Sequence, residues 1–439
     1  LILLLQIPVA MIAGLVGERQ MRRDEATAEI AQKWGARQRI LGPWVVVPYV
    51  HTATETDAQG YARTVERTDH AVFLPSELDV DGRLEVETRY RGIFELPVYR
   101  SHLRFVGAFA RPQLEDRVPD DATIRWDQAH LIVLASDVRT LHGTVSTVWN
   151  DGELAFEPGA GPSEPGQAGI HAPLGGRLDG TRFDFDFELV LDGSGSFALA
   201  PVGDRSDIEL ASSWTKPSFR GSWLPTERGV DDDGFTAHWD LGSLGRGYPG
   251  FWTSEEETRG LVDAGLIEVE LLAPIDHYRM SERSVKYELL FLVLVFTTVW
   301  LFEVRSRMRV HPIQYLLVGF ALCTFYLLEL ALSEHIGFAA AYATAAAMVV
   351  GMLGMYGASV LGAGWRGAAL AGTSGALYGY LYVVLMNEDY ALLAGALAVF
   401  GALGTVMALT RRIDWYATTS VLPSTGRQPH RHDGGPPRA

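Results

Sequence analysis

The chain has 439 residues, 48% of them hydrophobic and 21% charged, with a formal net charge of −16 and a single cysteine, Cys323. That acidity argues against nucleic acid as a partner, and one cysteine permits no internal disulfide. The averages conceal two compositions joined near residue 285: Glu18 to Arg283 is dense in Asp, Glu, Arg, Gly and Pro, whereas Leu289 to Thr410 is mostly Leu, Ala, Val, Gly and Tyr.

The opening stretch, "LILLLQIPVAMIAGLVG" (1–17), is close to the length of roughly 20 apolar residues that a helix needs to cross the hydrocarbon core. No small-residue cleavage site follows, only "GERQMRRDEA", so the expectation is an uncleaved anchor rather than a signal peptide. The chain opens on Leu, and the cytoplasmic start of this helix is expected to be missing. Residues 18–38, "ERQMRRDEATAEIAQKWGARQ", are helix formers with no Pro and no Gly before Gly35, which predicts that the anchor continues as an amphipathic helix ended by Gly35.

Residues 39–285 change to strand periodicity. In "TRFDFDFELVLDGSG" the residues Phe183, Phe185, Phe187, Leu189 and Leu191 alternate with Arg182, Asp184, Asp186, Glu188 and Val190, giving one apolar and one largely charged face. "RLEVETRYRGIF" repeats the pattern with Leu84, Val86, Thr88 and Tyr90 on one face. "TVSTVWNDGELAFEPG" reads as a hairpin turning at Asp151 and Gly152, and "FTAHWDL" and "LIEVELLAPI" read as further strands. One helix is expected at "TSEEETRGLVDAG", with Ser254 and Glu257 as a capping box and Gly265 as its stop. The Pro- and Gly-rich stretch 157–169 reads as an exposed loop. The whole predicts an antiparallel twisted sheet or sandwich with long loops, held by burial alone.

Five spans are expected in the region 286–416: Tyr287–Val304, Ile313–Ser333, Ile336–Leu361, Gly367–Met386 and Tyr390–Thr410, the third and fifth without any Asp, Glu, Lys or Arg. Arg305, Arg307 and Arg309, then Arg366, then Arg411 and Arg412 fall in alternate connections, which places those connections in the cytoplasm. "SEH" (333–335) and "NED" (387–389) carry no Lys or Arg and belong outside, with the strand region. Tyr326, Tyr342, Tyr380, Tyr382 and Trp415 lie near span ends, where interfacial aromatics are usual. The tail, residues 417–439, is expected to be disordered and cytoplasmic, its His430 and His432 no more than a stray metal contact. The fold class is therefore a membrane α-helical bundle, one N-terminal plus five C-terminal transmembrane helices, with a large, mainly β periplasmic domain.

Catalytic patterns such as G-x-S-x-G, H-E-x-x-H or a P-loop do not occur. No catalytic residue, metal or cofactor is expected, and the lipid bilayer is the first partner. Glu329 is the carboxylate most clearly inside an apolar run. An intramembrane acid is a functional-site hypothesis by default, but four residues separate it from Ser333, so interfacial placement is expected over a relay or transport role.

The segments "EIAQKWGARQRILGPWVVVPY" (29–49), "PSFRGSWLP" (217–225), "APIDHYRMSERSVKYELLF" (273–291), "HPIQYLLVGFALCTFYLLELALSEHIGFAAAY" (311–342), "LYGYLYVVLMNEDYALLAG" (377–395) and "TRRIDWY" (410–416) resemble the CreD family of bacterial cell envelope integrity inner-membrane proteins. The resemblance implies a Gram-negative inner-membrane protein with one helix, a large periplasmic domain and a C-terminal helix bundle, associated with envelope integrity and two-component control, and it brings no enzymatic activity. An S-D-x-R-G element implied for the periplasmic part stands here as "SDVRT", with Thr140 in place of glycine, which puts its tight-turn role in doubt. The candidate interaction residues on these segments are Trp34, Gln38, Gly42, Pro43, Asp276, Tyr278, Arg279, Ser281, Glu282, Arg283, Glu329, Glu334, His335, Glu388 and Asp389. Arg279 and Arg283 are expected to meet the outward acids Glu334, Glu388 and Asp389, beside His335. The leading functional reading is a non-enzymatic envelope protein whose periplasmic domain binds or senses an envelope protein or lipid. A small-solute or lipid transporter or channel is the alternative, and a periplasmic hydrolase the third reading.

Overall fold

The computed structural model describes residues 1–56, 62–111, 113–253, 258–271, 277–306, 309–387 and 391–411. They form two compact units, one of Leu1–Val16 with the chain from His277 onward, the other Gly17–Asp276. The first helix, α1 (Ile2–Trp34), contributes to both. Leu5, Val9, Ile12 and Val16 bury one stripe of it at spacings of three and four residues. It ends at Gly35, whose N–H still bonds Ala31 O at 2.9 Å, and whose absent side chain lets the backbone of Asp192 approach: a Cβ there would lie 2.6 Å from Asp192 O.

Eighteen strands occur among the described residues of the second unit. In chain order they are β1 (Gln38–Thr56), β2 (Ala62–Phe73), β3 (Glu77–Arg91), β4 (Phe94–Ala110), β5 (Thr123–Ile124), β6 (His130–Ala135), β7 (Ser146–Trp149), β8 (Gly152–Ala155) and β9 (Glu157–Pro158). The second half comprises β10 (Gly169–Pro173), β11 (Arg182–Ser194), β12 (Ser196–Leu199), β13 (Arg205–Ser212), β14 (Pro217–Gly221), β15 (Glu227–Asp231), β16 (Gly234–Gly242), β17 (Phe251–Thr253) and β18 (Ile267–Leu271). A ten-stranded sheet runs β14-β18-β12-β1-β6-β10-β9, with β2, β17 and β5 attached, and an eight-stranded sheet runs β15-β16-β13-β3-β4-β11-β7-β8. The sheets are mixed rather than purely antiparallel: β1 pairs β12 in parallel, and β13 pairs β3 in parallel. Both sheets feed one core, in which Trp44, Trp149, Trp239, Tyr99, Phe105 and Phe185 are fully enclosed.

The alternation read in β11 is realised: Phe183, Phe185, Phe187, Leu189 and Leu191 are all buried. In β3 it fades along the strand. Leu84 is enclosed, but Tyr90 is 68% exposed because the strand outruns the core. The β7–β8 hairpin turns at Asn150–Asp151, not Asp151–Gly152: Gly152 already pairs Trp149, and Asn150 takes the positive φ of 51° that a tight turn needs. Within 157–169 the ends are strand, Glu157–Pro158 in β9 and Gly169 in β10. A short helix, α2 (Thr258–Ala264), stops at Gly265, whose N–H caps Leu261 O and Val262 O at 3.0 Å each; Ser254 and Glu257 lie outside the described residues.

In the helical unit follow α3 (His277–Lys286), α4 (Glu288–Ser306), α5 (Pro312–Ile336), α6 (Phe338–Val360), α7 (Gly364–Met386) and α8 (Ala391–Thr410). Among the described residues four helices are individually long and apolar enough to cross a membrane: α1, α5, α6 and α7. Of the five expected C-terminal spans, three thus stand alone. The first passes only as the α3–α4 pair, bent by 46°, and α8 supplies a shorter apolar run, Leu393–Ala408. The α5–α6 break falls at Gly337, with φ +77°, so Glu334 and His335, read as part of the connection, belong to the last turn of α5. Helices α6 and α7 approach closely at glycine: a Cβ on Gly367 would lie 2.5 Å from both Gly354 O and Ala358 N. The conformation of the tail beyond 411, with His430, His432 and Trp415, lies outside the described residues.

Candidate functional site

In the strand unit the anticipated residues work inside the fold. Trp34 ends α1 with its indole N–H bonded to Tyr99 O at 3.3 Å, and the Arg89 guanidinium lies 4.4 Å over its ring. Gln38, fully buried, is a hub. Its Nε2 donates to Asp192 O (2.8 Å), Thr140 Oγ1 (3.0 Å) and Asp137 O (3.2 Å), while its Oε1 accepts from Ser136 Oγ and the Asp137 N–H. One amide thereby ties the start of β1 to β11 and to the "SDVRT" turn. Gly42 and Pro43 are buried at a register shift in the β1–β6 ladder, between Leu41 and Trp44. Gly42 has φ +107°, and a Cβ there would lie 2.8 Å from Ile132 O.

The "SDVRT" element keeps a tight turn without glycine. Asp137 caps the 3-10 turn Val138–Thr140, the Arg139 guanidinium bonds both its oxygens at 2.8 Å, and this pairing holds the Asp137 carboxyl below its ordinary range. Thr140 lends its hydroxyl to Asp137 O and Asp192 O, a contact glycine lacks. For Asp192, burial works to raise the carboxyl, but hydrogen bonds from Arg100 and His142, at 2.9 and 2.8 Å, outweigh it and leave it lowered.

A serine–histidine contact also forms there: His130 Nε2 lies 2.5 Å from Ser163 Oγ, and Nδ1 lies 3.0 Å from Gln128 O. The orienting group is a backbone carbonyl and not a carboxylate, and burial pushes the imidazole down, which opposes the imidazolium that general-base catalysis must form. Among the described residues no His, Cys, Asp and Glu set gathers into a metal-holding group.

The helical unit holds the less expected arrangement. Ser281, Ser284 and Glu288 follow at spacings of three and four residues along α3 and the start of α4, and all are buried. Ser281 Oγ donates to Glu329 Oε1 at 2.7 Å, Gln6 Nε2 to Glu288 Oε2 at 3.3 Å, and Tyr278 OH to Glu334 Oε1 at 2.9 Å. Glu329 is wholly enclosed, so its carboxylate does not reach out of the helical unit: Ser281 of α3 supplies its donor. Tyr326 and Tyr342, expected as interfacial anchors, are likewise interior, joined with Phe325 and Tyr378 in one aromatic cluster with ring centroids 4.3–5.1 Å from Phe325; Tyr342 OH bonds Tyr378 O at 2.7 Å. Arg279 and His335 are exposed, Arg283 is half-buried, and Glu282 pairs with Lys286 at 2.8 Å. Asp276, Glu388 and Asp389 lie outside the described residues.

Glu288 and Gln6 were missed as site residues in the sequence, although the Ser281-Ser284-Glu288 spacing marks one helical face; Glu288 stood at the second position of the expected span Tyr287–Val304. At the Arg-bearing connections, Arg366 Nη1 caps the Leu361 carbonyl at 2.7 Å, and Glu303 receives Tyr315 OH at 2.8 Å and the Val310 N–H at 3.2 Å.

Known proteins match this sequence over nearly its whole length. A family model described as "Inner membrane protein CreD" matches residues 1–416. The chain is 34% identical over 422 residues to a protein of Escherichia coli (strain K12) named "Inner membrane protein CreD", covering 95% of this chain and 92% of that one. A match over the anchor, the strand unit and the helical unit alike, together with apolar helices of spanning length, shows that the chain belongs to the CreD family of inner membrane proteins.

Proposed function

We propose that this CreD-family protein supports the integrity of the cell envelope without enzymatic activity, its strand unit lying in the periplasm and binding or sensing an envelope component. In this reading the chain crosses the inner membrane six times, by α1, the α3–α4 pair, α5, α6, α7 and α8, and ends in the cytoplasm. The distribution of Arg305, Arg307, Arg309, Arg366, Arg411 and Arg412 among alternate connections supports that orientation.

The observation that carries the binding role is the outward face of the eight-stranded sheet. Strands β3, β4 and β11 pair side by side over long registers, with one side buried and the other charged and open. Asp81, Arg104 and Glu188 form one row across the three strands, Arg104 standing between the two acids. A wide, regular, ionic surface on a rigid sheet suits a polar or charged partner more than an apolar one. Photo-crosslinking amino acids at Asp81, Arg104 and Glu188 in intact cells test it. The expected result is one ultraviolet-dependent adduct with an envelope protein or lipid, shared by the three positions; no adduct from any of them would remove the binding role.

A transport role is the second reading, favoured by the two carboxylates enclosed in the helical unit.

A further inference from the structure

Glu329 and Glu288 are enclosed, the first fully and the second 1% exposed, and each uses only one carboxylate oxygen. Glu329 Oε1 takes Ser281 Oγ, and its Oε2 is buried without a hydrogen-bond partner; Glu288 Oε2 takes Gln6 Nε2, and its Oε1 is likewise unpartnered. Among the described residues the groups that act on them are neutral: Ser281 from α3, Gln6 from α1, Cys323 and Tyr326 from α5 and Tyr342 from α6. Ser284 stands on the same buried face as Ser281 and Glu288, and the Ser284, Tyr326 and Tyr378 hydroxyls are themselves buried and unpartnered. Among the described residues no Lys, Arg or His acts on either carboxylate.

These groups form a series through the unit: Cys323, Tyr326 and Glu329 follow at spacings of three on one buried face of α5, Tyr326 and Tyr342 both pack on Phe325 at 5.0 and 5.1 Å, Ser281 bonds Glu329 and Gln6 bonds Glu288. Two of its members, Ser281 and Glu288, stand buried on either side of the 46° break between α3 and α4. A broken helix at membrane depth is tolerated where it lines a polar interior, and such breaks bring together the ligands of coupling ions. An anion enclosed in hydrocarbon, bonded only by neutral donors, is strongly unfavourable until a positive charge joins it.

We propose that the interior of the helical unit is a monovalent-cation site, in which Glu329 and Glu288 each take up one positive charge, a proton or a sodium ion, with the Ser284 and Tyr326 hydroxyls as neutral ligands along the series. The site stands whether or not the protein transports a solute. The probe is dicyclohexylcarbodiimide, an apolar reagent that adds to a carboxylic acid inside a membrane protein and leaves an N-acylurea. Full-length protein in lipid vesicles is treated in mildly acidic buffer, in choline or sodium chloride, and its peptides are weighed by mass spectrometry. The expected result is adducts on Glu329 and Glu288, with the exposed Glu282 unmodified. Suppression of several-fold by sodium relative to choline identifies a sodium site; labelling indifferent to sodium identifies a proton site. Absence of both adducts, or equal modification by a water-soluble carbodiimide, would overturn the proposal. Glu329→Gln serves as the internal control: the neutral amide should keep the fold and leave the Glu288 adduct in place.

Discussion

Replacing Phe185 by Asp strikes the strand unit at its most enclosed layer. The ring is 2% exposed, its centroid 5.3 Å from Phe109 and 5.9 Å from Phe187. It lies flat over Gly107, its register partner on β4, where a Cβ would approach the ring to 2.7 Å. Removing a core phenylalanine costs about 3–5 kcal/mol, and an unpaired buried carboxylate adds several more. Since whole domains are stable by about 5–15 kcal/mol, Phe185→Asp should leave this unit largely unfolded. The neighbouring Asp184→Asn is the control. Asp184 is 64% exposed and paired with Arg182 at 2.8 Å, a solvent-facing bridge of about 0–1 kcal/mol. Pulse proteolysis across a urea series, on the full-length protein in detergent, reads both. Equal cleavage midpoints for the two variants would refute the assignment of inner and outer faces.

Gln38→Leu keeps the volume but strands the Asp137 N–H, while Thr140 still covers the Asp137 and Asp192 carbonyls, so a loss of about 2–4 kcal/mol is expected in the same urea series. Gln38→Glu should be at least as harmful, because a carboxylate would then face the two carbonyls that Nε2 now serves. Acid should weaken the strand unit in two steps. Burial lowers His130 and His70 below the ordinary value of about 6.5, so the unfolded chain takes up protons first and stability falls as pH drops through that value. Asp137 and Asp192 are also lowered, so their contribution, complete above about pH 4, is lost as pH falls further. A urea midpoint that rises on acidification would contradict both signs, and His130→Gln should flatten the upper step.

The β11 alternation was legible because a strand with one solvated face writes burial at period two, and the capping of α1 by Gly35 was legible because glycine both ends a helix and admits a neighbour. The enclosure of Glu329 was not. Four residues from a helix end locate a side chain along the axis but not around it, and only the packing of α3, through Ser281, encloses the carboxylate. The same geometry moved Tyr326 and Tyr342 inward, since interior and interfacial tyrosines share a sequence position near span ends. The parallel pairs β1–β12 and β13–β3 were hidden for another reason: they join segments far apart in sequence, and alternation carries no information on partner or direction.

Single cysteines placed on a Cys323→Ala background and exposed to a membrane-impermeant thiol reagent test the proposed orientation most directly. With the strand unit outside and the Arg-bearing connections inside, cysteines at Arg104, on the open sheet face, and at Glu334, in the last turn of α5, should react in intact spheroplasts. A cysteine at Arg366, beside the end of α6, should react only after the membrane is permeabilised. Labelling at Arg366 in intact spheroplasts, or protection of Arg104 there, would contradict the account.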